Sequence, residues 1–267
     1  MSIHNTSKHA GETSGPINAR GAFLGDFQIV GSLPPDEVPA AIEGDRASFV
    51  ARPGFYRKLI PLRLEDDGTI YSGGRYLFKT HAQAVEFGRW FRDDFRLDGE
   101  LFVDRPWVKD FTRLPFHVIG AHDFKTVNES QVVVRAERWT LSGERGVTLE
   151  SVWPELRERA RDRDLASVWL LYADDRREAA LVTVGSRYDQ PSLTTPDVAS
   201  LRSLESQLSL AEEFDRQGWA RKTFDRTSWI FTIWFAPDHI PLYSWPNSPP
   251  LPGLPPSEIG IADRIAK

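Results

Sequence analysis

The sequence predicts an α+β fold made of two consecutive βαββαβ units, the ferredoxin-like order. Three observations carry this. Between Gln131 and Ala236, strand-sized apolar segments alternate with amphipathic helical ones. Thr80 and Gln83 form a capping box that opens a helix directly after two strands. Gly73-Gly74-Arg75-Tyr76 and Gly185-Ser186-Arg187-Tyr188 echo each other, each near a strand end with a Thr-capped helix downstream.

The elements follow in chain order. Residues 1–20 are Ser/Thr/Gly/His/Asn-rich and read as a flexible tail. Residues 21–54 mix apolar pieces with Pro34-Pro35 and resist assignment. Phe55–Leu64 reads as a strand, edge-like or bulged at Pro61. Glu65-Asp66-Asp67-Gly68 is a turn, and Thr69–Lys79 a second strand broken by Gly73-Gly74. The capped helix runs to about Phe95, with Ala84, Phe87, Gly88, Phe91 and Phe95 on one face. A loop-like stretch leads to a third strand, Leu114–Phe124. The first unit, residues 21–125, therefore lacks a clear first helix.

The second unit, residues 126–236, is more regular. Gln131–Leu141 is a strand. Pro154 sits in the first turn of a helix to about Arg163, striped by Val152, Leu156 and Ala160. Ala166–Ala173 and Ala179–Arg187 are strands joined at Asp174-Asp175-Arg176-Arg177. Thr195 and Pro196 start a helix with the stripe Val198, Leu201, Leu204 and Leu208, and Gly218 is a plausible stop. Ser228–Ala236 is the last strand. Residues 237–267 form a Pro-rich arm, extended and polyproline-like.

Composition bounds the function. The chain has 267 residues and 40% hydrophobic content, enough for one large core or two small ones. With no cysteine there is no disulfide, thiolate nucleophile or cysteine metal site. A net charge of −5 without a basic block argues against nucleic acid and acidic membranes as partners. No signal-peptide h-region or membrane-length apolar run is visible, so a cytoplasmic protein is expected.

Gly73-Gly74-Arg75-Tyr76-Leu77-Phe78 with the helix after it, and Ser167-Val168-Trp169-Leu170-Leu171-Tyr172 with the strand after it, resemble the dimeric α/β-barrel superfamily, which includes the antibiotic-biosynthesis monooxygenases. The resemblance covers roughly residues 55–236. It implies two ferredoxin-like sheets paired into a barrel, between chains or within a duplicated chain, and a pocket between helices and sheet. Activities in such families include cofactor-independent oxygenation, polyketide cyclisation, lactone isomerisation, decarboxylation and haem chemistry. No catalytic residue is common to them, so none is transferred here.

Strand parity suggests which side chains share a face. Val168, Leu170, Val182, Val184, Phe231 and Ile233 are assigned to the side packed on helices. Arg135, Glu137, Trp139, Trp169, Leu171, Thr183, Thr232 and Trp234 form the other set, flat rings with sparse polar groups that suit a ligand cavity. From these, Trp139, Trp169, Trp234, Arg135, Glu137 and Thr232 are the substrate-binding candidates. The plain alternative is a buried sheet face bridged by an Arg135–Glu137 ion pair.

The catalytic candidates are His117 as general base, Tyr76 as donor to an oxyanion, and Arg75 as an anion holder. His117 and His122, five apart, fall on opposite faces unless a bulge at Gly120 intervenes. No helical His pair, P-loop or Gly-x-Ser-x-Gly elbow occurs, so no metal site and no cofactor are expected. Haem ligation by a single histidine stays open.

The expected function is an enzyme acting on a hydrophobic aromatic or polycyclic molecule by proton abstraction and enolate or phenolate stabilisation. It would belong to a cofactor-independent oxygenase, cyclase, isomerase or decarboxylase type. The alternatives are a non-catalytic binding protein or sensor for an apolar ligand, and an interaction protein using Trp245–Pro256. A homodimer is left open.

Overall fold

The computed structural model describes residues 15–31, 44–97, 99–125, 127, 132–141, 149–186, 198–210, 212 and 220–236. The Pro-rich arm, the Thr195-Pro196 helix start, Gly218 and Tyr188 lie outside the described residues.

Strands β1 (Gly15–Pro16), β2 (Gly21–Ile29), β3 (Phe55–Leu64) and β4 (Ile70–Phe78) come first, with helix α1 (Arg46–Val50) between β2 and β3. Helix α2 (His81–Asp93) follows, then a small hairpin of β5 (Arg96–Leu97) and β6 (Glu100–Leu101), a 3-10 turn Phe102–Asp104, and β7 (Val108–Asp123). The second half contains β8 (Val132–Leu141), α3 (Leu149–Asp162), β9 (Ser167–Ala173), β10 (Glu178–Ser186), α4 (Val198–Leu208) and β11 (Ala220–Phe235).

The main sheet has the order β1-β7-β2-β4-β3-β11-β8-β10-β9, and β7 also pairs with β9. Eight antiparallel strands thus close into a barrel. Leaving aside the small hairpin, the chain order of each half is βαββαβ, with the lateral order last, first, third, second. The segment that resisted assignment therefore contains a first strand and a five-residue first helix. No described helix is long and apolar enough to cross a membrane.

Both sheet faces are buried over most of the barrel. Inward, Leu24, Leu59, Leu77, Phe116, Trp169, Leu171, Val182 and Ile233 fill the interior. Outward, two cores lie under helices. The first packs β2–β4 and Trp234 against α1, α2 and the 3-10 turn with Phe23, Phe49, Phe87, Phe91 and Phe95. The second packs β8–β10 against α3 and α4 with Trp139, Leu156, Leu170, Leu181 and Leu201. The aromatic ligand chamber expected inside the barrel is thus occupied by the protein's own side chains. Buried ion pairs stand toward opposite ends, Arg57 with Asp123 and Arg75 with Asp26.

Several local expectations are corrected. Ile17 and Ala19, expected in a tail, are buried in the barrel core, and β1 pairs with β7. Pro154 lies inside α3 rather than in its first turn, since the helix begins at Leu149. Its absent N–H leaves one carbonyl of the preceding turn without an intrahelical donor. The last strand begins at Ala220, eight residues before the expected Ser228.

The parity sets are corrected too. Register pairs Leu170 with Leu181 and Trp169 with Val182, and residues directly opposite in a ladder share a face. Val182, Val184 and Ile233 therefore face inward, as do Trp169 and Leu171, while Val168 and Leu170 face the helices as expected. A one-residue error in assumed register exchanges the two faces of a whole strand.

Candidate functional site

The glycine pair of β4 shows how the sequence builds the site. A Cβ on Gly73 would overlap the Gly25 carbonyl, so β2 approaches closely on the inner side. A Cβ on Gly74 would overlap the Tyr76 ring. Without that Cβ, Tyr76 lies back along its own strand on the outer face. Gly88 of α2 plays a similar part, since a Cβ there would press on the Phe23 ring. The helix thus sits low over the sheet.

Across three strands the register aligns Tyr76 with Lys58 and Lys58 with Trp234. Lys58 is almost fully buried, 4% exposed. Its Nζ lies 3.9 Å from the Trp234 ring centroid, 4.0 Å from Phe49 and 5.0 Å from Tyr76. Three ring faces therefore enclose an ammonium, an arrangement favoured by the quadrupole of each ring. Phe49 comes from α1, stacked on Tyr76 at 6.2 Å and tilted on Trp234 at 5.6 Å.

Around this group lies a cavity of about 30 Å³, lined by Asp45, Phe49, Lys58, Ser72, Tyr76 and Trp234 together with Phe27, Ile60, Gly73, Phe91, Phe95 and Phe102. That volume suits one or two waters. Ser72 Oγ donates to the Pro61 carbonyl at 3.1 Å. Burial pushes the Tyr76 hydroxyl well above its ordinary pKa, and the nearby Asp45 charge adds to the effect. Tyr76 therefore stays protonated at neutral pH and is a hydrogen-bond donor. An acid, an ammonium and a phenol thus converge in an apolar surround.

The structure brings two of the nominated residues together here, Tyr76 and Trp234. Thr232, buried on the same strand as Trp234, pairs with Ile60 and is not among the cavity-lining residues. The others lie elsewhere. Arg75 points into the barrel, donating from Nη1 to the Gly25 carbonyl at 2.8 Å and from Nη2 to Asp26 at 2.6 Å. Trp169 is also interior, its indole N–H donating to Ser167 at 3.0 Å. Arg135, Glu137 and Trp139 lie on the outer face of the second half. There Arg135 bridges Glu137 at 3.1 Å and Asp225 at 2.8 Å, and Lys222 bridges Glu137 at 2.9 Å. Arg135 also donates to the Glu205 carbonyl of α4. This is the structural ion pair that the sequence offered as the plain alternative, enlarged to a network.

His117 is exposed on β7 and stacks on His81 at the start of α2, ring centroids 3.5 Å apart. Partial burial and the neighbouring His117 hold the His81 imidazole below its ordinary pKa. The Gly120 bulge does occur, as a register shift between Val118 and Gly120. It accommodates Trp153 of α3, whose ring fills the space a Cβ on Gly120 would take. Among the described residues no cluster of three or more His, Asp or Glu suits a metal ion.

Lys58, Asp45 and Phe49 were missed in the sequence. Lys58 alternates with Ile60 and Leu62 in a correctly read strand, so a lysine on the apolar parity was a legible signal. Asp45 and Phe49 lie in the segment that resisted assignment.

No protein-family model and no curated protein matches the chain. Solved structures do. A candidate monooxygenase from Fusobacterium nucleatum superposes with a TM-score of 0.51 at 8% identity, covering 82% of this chain and 96% of that one. An anthrone oxidase-like protein gives 0.47 at 9% identity, with coverage of 85% and 97%. A ferredoxin-fold protein related to antibiotic biosynthesis monooxygenases, from Listeria monocytogenes, gives 0.30 at 10% identity, with 82% and 95%. At such identity the first likeness shows a shared fold.

Proposed function

We propose that the chain is an enzyme of the cofactor-independent oxygenase type, acting on an apolar aromatic molecule in the outer-face cavity of its first half. The observation that carries this reading is the Tyr76–Lys58–Trp234 rank, with its neutral phenol and caged ammonium beside Asp45. In this reading Asp45 takes the proton from an activated ring carbon. The resulting enolate or phenolate oxygen accepts a hydrogen bond from Tyr76 and is balanced by the Lys58 charge, a preorganised arrangement of the oxyanion-hole kind. The electron-rich anion then reduces O₂. A ring CH₂ becomes C=O, one oxygen atom enters the product, and the other leaves as water with the two hydrogens. The substrate supplies all the electrons.

The cavity as it stands is smaller than such a ring. We infer that α1 moves to admit it, because the helix has five residues and its N-cap Asp45 makes no side-chain capping bond. In the same reading the two βαββαβ halves are fused ferredoxin-like units. The barrel closes within one chain and needs no second copy.

Oxygen-electrode assays with anthrone-type and polyhydroxylated aromatic compounds test the proposal. Tyr76→Phe and Lys58→Met are expected to lower kcat by about 10²-fold, with little change in substrate binding. Saturable binding of these compounds with no O₂ uptake and no other turnover would make the chain a binding protein instead.

A further inference from the structure

The barrel interior holds a second polar cluster, on the opposite face of β2 and β4 from the cavity. Asp26 and Arg75 point inward while their neighbours Phe27 and Tyr76 point outward. Arg75 Nη2 lies 2.6 Å from Asp26 Oδ1, and Arg226 Nη1 lies 3.8 Å from the same oxygen. Arg138 completes the group. It is 7% exposed, and its guanidinium carbon lies 4.3 Å over the Phe224 ring. No carboxylate among the described residues makes an ion pair with it, and its Nε has no hydrogen-bond partner. The carboxylates nearest in charge terms are already engaged, Asp26 with Arg75 and Glu178 with Arg176. Arg226 is the more accessible cation, seated 3.9 Å over Tyr71.

Arg75 and Arg226 thus share one carboxylate, and Arg138 stands beside them without one, inside a protein of net charge −5. A buried charge without a partner is costly to folding and persists where something else selects it. Burial also depresses the pKa of Arg138 and Arg226, as expected for cations short of counter-charge. Guanidinium groups present planar donors that match oxyanion geometry.

We propose that this end of the barrel binds a small oxyanion, a carboxylate or phosphate group, between Arg138 and Arg226, with Arg75 held in place behind them by Asp26. The site does not depend on the oxygenase reading and lies apart from the cavity.

Thermal unfolding and calorimetric titration of the full chain, in chloride buffer, test it with inorganic phosphate in one arm and acetate in the other. Saturable binding is expected in at least one arm, and the stronger arm identifies the ligand class. At a hundredfold excess over Kd the expected rise in Tm is about 5–10 °C. Arg138→Met should abolish the rise yet melt no lower than the native chain in the chloride buffer without added phosphate or acetate. Arg226→Gln should weaken binding by about tenfold, and Arg161→Gln on the exposed side of α3 should not change it. If Arg138→Met does not fold, Arg226→Gln decides alone. The proposal is overturned if neither anion binds saturably at millimolar concentration, or if the folded variants show the same rise as the native chain.

Discussion

Gly74 and Tyr76 stand two residues apart on one face of β4, and the absence of a side chain at the first makes room for the second. Gly74→Ala should therefore destabilise the fold by about 1–3 kcal/mol, as overpacking does. Urea unfolding measures it. In the Tyr76→Leu background most of that cost should vanish, and simple additivity of the two changes would contradict the geometry. Glu137 gives a pH test. Burial raises its pKa more than Arg135 and Lys222 lower it. Its contribution to stability is thus fully present below the unfolded value of 4.5 and lost as pH rises through the higher folded value. The stability of the native chain relative to Glu137→Gln should fall as pH rises above 4.5, and a rise would overturn the assignment. Tyr76 and Trp234 were legible in the sequence as large rings near polar groups. Their meeting at Lys58 was not, because Trp234 faces Lys58 only through pairing between strands far apart in the chain.

At the scale of elements, α2 was the most legible part of the molecule. Its capping box is present as expected, with Gln83 N–H donating to Thr80 Oγ1 at 3.2 Å and Thr80 N–H donating to Gln83 Oε1 at 3.1 Å. Thr80→Ala should cost about 1 kcal/mol, measured by chemical denaturation. Because α2 carries Phe91 over the cavity, the same variant should also weaken aromatic-ligand binding. An unchanged Kd would separate the helix from the site. Helix α1 escaped notice because five residues are too few to display a helical period. The first half of β11 escaped because its charges, Arg221, Lys222, Asp225 and Arg226, conceal a strand. They alternate between an outer ion network, at Lys222 and Asp225, and the inner arginine cluster, at Arg226.

For the whole molecule, most of the element order was legible and the family resemblance implied a barrel, while the strand pairings that close it within this one chain were not. Closure depends on the β3–β11 and β7–β9 pairings, which no local pattern encodes. Each half alone would expose two strand edges along a large apolar face, a hazard for aggregation. Residues 1–127 and 128–267 produced separately should be insoluble or self-associated, and co-expression should restore a cooperative thermal transition. Two independently monomeric, folded halves would contradict the shared core. The central claim is that the chemistry on the aromatic substrate belongs on the outer face under α1 and α2, beside Lys58, and not among the side chains that fill the barrel. A crystal structure with a bound phenolic aromatic compound tests it most directly. The account predicts ring density between Phe49 and Trp234, with the phenolic oxygen within hydrogen-bonding distance of Tyr76 Oη. Density in the second half's outer face, with the first-half cavity unchanged, would contradict it.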